Sequence, residues 1–333
     1  MYPATPPVQD PARRVGRIEA LDIARGLALL AMAIYHFTWD LEFFGYTEPG
    51  MTAMGGWKLF ARCIATSFLF LVGVSLFLAH GEGIRWKGFW RRLAMIAGAA
   101  LAISIATYIA VPGGFIFFGI LHQIALASVL GLLFLRVPAL LTLAIAAAVV
   151  AAPAFLRSSL VDHPAWWWVG LSSTNPRSND YVPLFPWFGA VLAGIGTAQL
   201  AASAGLWRRL APIKSGLWGR PFILAGRHSL AFYLVHQPVL IALVWLFSQV
   251  MPAEVQTQEV RFRQSCEATC EQTRDAEFCT RYCACMLESL EASGDVDQLF
   301  AGNETPELRS RIEQSAGLCT MEADEQAIEG GTP

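Results

Sequence analysis

Between Leu21 and Asp40 an otherwise apolar stretch carries four ionisable residues, Asp22, Arg25, His36 and Asp40. On a helix Arg25 and His36, 11 residues apart, share a face and stand about 16 Å apart along the axis. His36 and Asp40 are i,i+4 neighbours. A carboxylate one turn from a histidine can fix its tautomer and raise its basicity, as a general base acting on a hydroxyl or amine requires. The stripe therefore offers a cation at one end and a base at the other. The competing reading has Asp22 and Arg25 snorkelling to a membrane interface and His36 as a hydrogen-bonded packing residue.

Other candidates are scattered further along. His122 is followed by Gln123 and lies about two turns inside its apolar run; either side chain could stabilise an oxyanion. His236, again followed by a glutamine, falls near the middle of the last run. Arg227 and His228 stand at the start of that run and, with Arg25, Arg208, Arg209 and Arg220, would form a cationic mouth suited to a phosphorylated donor such as a coenzyme A thioester. Topological charge bias explains the same cluster equally well.

The elements that must position these residues are membrane helices. Of the 333 residues 55% are hydrophobic and 15% charged, and mean hydropathy is +0.45, outside the range of a soluble domain. Crossing a hydrocarbon core of about 30 Å takes about 20 apolar residues. Runs near residues 20–40, 58–79, 92–111, 117–135, 138–156, 183–202 and 228–250 qualify, and each must be helical because lipid offers backbone groups no other partner. The expected fold is an all-α membrane bundle of about seven transmembrane helices with a small, helical, disulfide-rich C-terminal tail. The expected division is a cytoplasmic segment over 1–17, a membrane domain over 18–250, and an exterior Cys-rich tail over 251–333 that is partly disordered at its end.

Arg13, Arg14 and Arg17, then Arg85, Lys87, Arg91 and Arg92, then Arg136, then Arg208, Arg209, Lys214 and Arg220 all fall on one side of a seven-span topology. The positive-inside rule puts that side, and the N-terminus, in the cytoplasm and the tail outside. The first run lacks a small-residue cleavage pattern and reads as a retained span. Trp166, Trp167 and Trp168 in the loop before span six read as an interfacial anchor. A net charge of -2, with basic residues only in short clusters, gives no argument for nucleic acid.

Six of the seven cysteines, Cys266, Cys270, Cys279, Cys283, Cys285 and Cys319, lie in the tail, and an even count in an exported small domain reads as a disulfide framework. Cys266/Cys270 and Cys279/Cys283 are i,i+4 pairs, so two antiparallel helices could be joined by Cys266–Cys283 and Cys270–Cys279, leaving Cys285–Cys319. That is one of several connectivities that six cysteines allow. A zinc site is the alternative, but twin CxxC spacing and tail histidines are absent, so no metal is expected.

The segments Leu21-Asp22-Ile23-Ala24-Arg25-Gly26, Tyr35-His36-Phe37, Phe68 to Ser75, Gly119-Ile120-Leu121-His122-Gln123, Pro183 to Gly189 and Gly226 to Pro238 together resemble bacterial members of the heparan-alpha-glucosaminide N-acetyltransferase catalytic domain family, over about residues 17–250. The Arg-Gly and Tyr-His-Phe pattern is also similar to the first span of bacterial sugar O-acyltransferases. The resemblance implies an integral-membrane acyltransferase that takes an acyl group, acetyl above all, from cytoplasmic acetyl-CoA or another acyl-CoA and places it on a sugar hydroxyl or amine across the membrane. It implies catalysis by His36 and donor binding by Arg25. His36 would act as a base oriented by Asp40 or carry the acyl group covalently; both routes stay open. The expected setting is a bacterial inner membrane, with lipid and a glycan or amino-sugar acceptor as partners and a homo-oligomer compatible with the sequence. The cysteine-rich tail is no part of the resemblance.

The alternative function is transport of a small solute or lipid-linked sugar, against which count an odd number of spans and no visible internal repeat. A haem cytochrome would want facing histidine pairs. A retinal receptor would want a lysine in the last span, but the lysines are Lys58, Lys87 and Lys214.

Overall fold

The computed structural model describes residues 17–253, 258–300 and 305–330; Arg13, Arg14 and the last residues of the tail, where a loose end is expected, lie outside them. Among the described residues six helices are long and apolar enough to cross a membrane: α1 (Glu19–Phe43), α2 (Gly55–His80), α3 (Trp86–Ala110), α5 (Ala139–Leu156), α6 (Leu184–Ser203) and α9 (Ser229–Val250). Between them come the shorter apolar α4 (Ile120–Gly131), which runs on as a 3-10 turn to Phe134, and the small α7 (Leu206–Leu210) and α8 (Arg220–Arg227). The tail holds α10 (Gln258–Cys270), α11 (Ala276–Ser293), α12 (Val296–Phe300) and α13 (Pro306–Gly330). The chain is thus an all-α, polytopic membrane protein, and every apolar run of the sequence is a helix.

The fourth run is shorter than its hydropathy suggests, and this corrects the depth of His122. Helix α4 begins at Ile120, so His122 sits in its first turn rather than two turns inside. The reason lies in the residues before it. Ile116 is held by α3, where the Thr107 hydroxyl accepts from its N–H (3.0 Å) and the Ser104 hydroxyl donates to its carbonyl (2.5 Å). The Gly114 and Phe118 carbonyls accept from the N–H groups of Asn179 (2.9 Å) and Val182 (3.1 Å). Backbone groups satisfied elsewhere have no call to join a helix.

The chain forms two compact units. The first comprises the described residues up to Met32 together with Arg62–His236. Its centre is α6, whose Val191, Leu192, Ile195 and Ala198 are fully buried. Small residues bring the backbones together there, as membrane helix pairs require: a Cβ on Gly73 of α2 would fall 2.0 Å from the Val191 carbonyl oxygen, and one on Gly194 of α6 would fall 2.1 Å from that of Phe70. His80, which the sequence reading passed over, is a structural residue: its Nδ1 accepts the Arg85 N–H at 3.2 Å just past the end of α2.

The second unit joins Ala33–Ala61 to the described residues from Gln237 onward. Within it the tail is a small helical clamp. Disulfides Cys266–Cys283 and Cys270–Cys279 tie α10 to α11, and Cys285–Cys319 ties α11 to α13, with Cα separations of 5.8, 5.6 and 5.6 Å. The first two are the pairs that the i,i+4 spacing suggests, and Cys285–Cys319 is the pair left over. Asp275 caps α11 by accepting the Phe278 N–H at 2.9 Å, and Gly294, at φ 68°, ends it in the left-handed conformation that glycine adopts without strain. Asp295 then receives both Nε and Nη2 of Arg311, at 2.8 and 2.7 Å, a bidentate bond that fixes the start of α12 against α13. These bonds from Arg311 hold the Asp295 carboxyl below the usual carboxylate range.

Candidate functional site

Three groups of side chains gather the chemistry that the sequence offers. The first surrounds Asp22, which is buried to 1% exposure near the start of α1. Its carboxylate accepts from Arg17 Nε at 2.6 Å and from Arg25 Nη1 at 2.9 Å, and Arg227 Nε lies 3.8 Å away. Arg25 also donates through Nη2 to the Ser75 hydroxyl of α2, at 2.6 Å. The motif glycines explain how these elements meet. A Cβ on Gly26 would lie 2.3 Å from the Phe222 carbonyl oxygen, and one on Gly226 would lie 2.0 Å from that of Asp22, so only hydrogen at each position lets α1 and α8 touch backbone to backbone. Asp22 is thus a hub rather than a snorkelling residue. With three guanidiniums around one carboxylate, the cluster keeps an excess of positive charge suited to phosphates. His228 caps α8 immediately after Arg227, with its ring exposed. Arg208, Arg209 and Arg220 are exposed on α7 and α8.

The second group is the His122 corner. His122 Nδ1 accepts the Gly119 N–H at 3.2 Å, closing the first turn of α4, while Nε2 meets the Ser104 hydroxyl at 3.2 Å. The Ile120 N–H donates to Asp180 at 2.9 Å. A Cβ on Gly119 would be 2.3 Å from that same carboxylate oxygen. Burial pushes the Asp180 carboxyl up to about 6. Gln123, behind His122, is fully buried, and neither amide atom has a hydrogen-bond partner among the described residues. His236 of α9, 9% exposed, bonds the Tyr233 carbonyl at 2.7 Å through Nδ1 and stacks on Phe232.

The loop before α6 builds the wall of this corner. Asp162 accepts from the Ser172 hydroxyl (2.6 Å) and from the N–H (2.7 Å) and hydroxyl (2.5 Å) of Ser173; these bonds hold its carboxyl below the usual range. Trp167 Nε1 donates to the Asp162 carbonyl at 2.9 Å, and the Trp168 ring meets Phe118. Of the three tryptophans only Trp166 is half exposed. Asp180 is the residue that the sequence does not single out; its one signal is its position three residues before the Pro183 motif.

The third group belongs to the second unit. Asp40 is fully buried on α1 and accepts from Gln237 Nε2 of α9 at 2.7 Å. His36, one turn earlier and partly exposed, meets the Tyr35 ring edge-on at 5.7 Å. Tyr35 reaches the Thr52 carbonyl at 3.3 Å. Glu42, one turn beyond Thr38, takes up the turn that contains Thr52, accepting from the N–H groups of Gly50 (2.7 Å) and Thr52 (2.8 Å) and from the Thr52 hydroxyl (2.7 Å). The Gln that follows His236 thus has a definite task, to hold the carboxylate of the Asp40 pair.

Among the described residues no His, Cys, Asp and Glu side chains converge in a way that could hold a metal ion. Comparison with curated proteins and with solved structures gives no match. The family model for heparan-alpha-glucosaminide N-acetyltransferase, catalytic, matches residues 17–238, which include Arg17, Arg25, His36, His122, Asp180 and Arg227. The match covers well over half of the chain, which therefore belongs to that membrane acetyltransferase family.

Proposed function

We propose that this protein transfers an acyl group, acetyl above all, from a cytoplasmic acyl-CoA to a sugar hydroxyl or amine at the opposite face of a bacterial inner membrane. The observation that carries the reading is the excess of guanidinium around the buried Asp22, built inside the segment that the family model matches. A diphosphate-bearing donor fits such a cluster, because the arginines present planar, permanently charged donors and one carboxylate offsets only part of their charge. Arg25, fixed between Asp22 and Ser75, is pre-organised for that work.

His36 lies further along the same helix and is the base in this reading. Its imidazole takes the proton of the acceptor hydroxyl or amine, whose oxygen or nitrogen attacks the thioester carbonyl; the carbon–sulfur bond breaks and the coenzyme leaves as its thiol. Asp40, held by Gln237, places a carboxyl group one turn away on the same helix. The bias of Lys and Arg toward the loops on one side of the topology supports placing the donor end in the cytoplasm. The test is transfer of label from acetyl-CoA to added glycan by purified wild type and His36→Ala. Label lost only in the mutant supports the reading; no transfer by either protein overturns it and turns attention to solute transport.

A further inference from the structure

We infer that the segment from α7 to α8 is a docking surface for an anionic phospholipid headgroup, in the leaflet at the N-terminal end of α1. The inference goes beyond the acyltransferase reading and does not need it, since lipid can be titrated without donor or acceptor.

The segment is pinned to the first two turns of α1, within the first unit. The Glu19 carboxylate accepts the Ser215 N–H at 2.9 Å and pairs with Lys214 at 3.3 Å. A Cβ on Gly219 would stand 3.4 Å from the Ile23 side chain, and Phe222 of α8 lies against the Gly26 backbone. At the other end the buried Trp207 donates from Nε1 to the Ala198 carbonyl of α6 at 3.0 Å. The contacts on α1 run from Glu19 to Gly26, about 10 Å along the helix axis. Immediately beyond them Leu27 and Leu30 are each about half exposed, as lipid-facing residues are. The segment therefore lies at the depth where hydrocarbon gives way to headgroups.

Its outer edge is apolar. Trp218 is 92% exposed and Leu217 71%, and Ile213 and Leu224 are exposed beside them. Four large apolar side chains held out on a pinned loop are unfavourable in water. They are favourable at the headgroup boundary, where an indole keeps its ring in apolar surroundings and its N–H among polar groups.

The charges choose the headgroup. Between Asp180 and Glu254 the sequence has no carboxylate. Of the acids that the segment meets on α1, Glu19 is engaged by Lys214 and Ser215, and Asp22 by Arg17 and Arg25. Arg208, Arg209 and Arg220 are exposed, and among the described residues no salt bridge reaches any of them. A guanidinium fork matches a phosphate. A zwitterionic headgroup offsets its own phosphate with an ammonium, whereas an anionic one leaves that charge to the protein, so the three arginines favour the anionic lipid.

The experiment titrates full-length protein in neutral detergent with phosphatidylglycerol or phosphatidylcholine carrying brominated acyl chains, and reads quenching of tryptophan fluorescence. The difference between wild type and Trp218→Phe isolates the Trp218 indole. Phosphatidylglycerol is expected to reach half-quenching at about one tenth the mole fraction that phosphatidylcholine needs. That preference should vanish in about 1 M salt, where the screening length is about 3 Å. The triple variant Arg208→Gln, Arg209→Gln, Arg220→Gln should lose the preference too, while Lys87→Gln with Arg91→Gln, at the start of α3, should keep it. Equal quenching of Trp218 by the two lipids overturns the inference. An equal loss of preference in the Lys87 and Arg91 variant overturns it in favour of bulk surface charge, and displacement of the lipid by acetyl-CoA overturns it in favour of a donor site. The salt arm needs no substitution, so it decides the matter even if the triple variant does not fold.

Discussion

Gly226 lies against the backbone of Asp22 so closely that a Cβ added to it would stand 2.0 Å from the Asp22 carbonyl oxygen. The next residue, Arg227, brings its Nε to 3.8 Å from the Asp22 carboxylate. A close glycine contact and a buried ion cluster are therefore one feature. Gly226→Ala should force α8 away from α1 at a cost of about 1–3 kcal/mol and weaken donor binding with it. Thermal melting in detergent, together with the KM for acetyl-CoA, checks both; an alanine variant that melts and binds donor as wild type does would show that the two helices can part freely.

Asp22→Asn should be more damaging than any single arginine change. It leaves three guanidiniums around a neutral amide; Arg17 and Arg227 are about half exposed and screened by solvent, so the cost falls mainly on the more buried Arg25, at about 1–3 kcal/mol. Arg25→Lys keeps the charge but cannot bridge Asp22 and Ser75 as the fork does. We expect the lysine variant to fold and to show a raised KM for the donor with little change for the acceptor.

If His36 is the general base, His36→Ala lowers kcat by about 10²–10⁴-fold without shifting the melting temperature. Asp40→Asn should lower kcat less. Gln237→Ala deprives a fully buried carboxylate of its donor, at a stability cost of about 1–3 kcal/mol. Turnover at the wild-type rate in His36→Ala would end the assignment.

Alkylation of the native, unreduced protein followed by mass spectrometry should modify Cys63 alone, the free cysteine in the structure. Reduction under denaturing conditions should expose the six tail thiols. Tail thiols that label without reductant would mean that α10, α11 and α13 are not cross-linked.

The Asp180 carboxyl, pushed by burial up to about 6, gives the fold a pH dependence of definite sign. An unfolded aspartate titrates near 3.9, so between about pH 4 and 6 the folded state holds more proton than the unfolded one. The stabilising contribution is full below about pH 4 and is lost as pH rises through 6. Melting temperatures of wild type should decline over that interval relative to those of Asp180→Asn; parallel curves would show that this carboxylate titrates normally.

Hydropathy alone carries most of the architecture, because in lipid an apolar run long enough to span has no alternative to a helix. The failure at α4 has the same logic reversed: Phe115 to Phe118 are as apolar as a span, yet hydroxyls of α3 and the 179–182 loop take their backbone groups. No periodicity in the segment itself reports partners that lie elsewhere in the chain. The i,i+4 cysteines made their pairing legible because helical spacing puts each pair on one face, whereas Cys285–Cys319 follows only by elimination.

For the site, the sequence determined which residues are anomalous, since Asp22, Arg25, His36, Asp40, His122 and Gln123 stand out against apolar neighbours that carry no charge. It could not assign their partners. That Asp22 gathers Arg17, Arg25 and Arg227, that Asp40 is held by Gln237 almost 200 residues away in the chain, and that Asp180 closes the turn at His122 are consequences of helix packing. Residue type announces the cost of burying a charge, but which groups offset that cost is decided by which backbones, at Gly26 and Gly226 above all, can come close enough to touch.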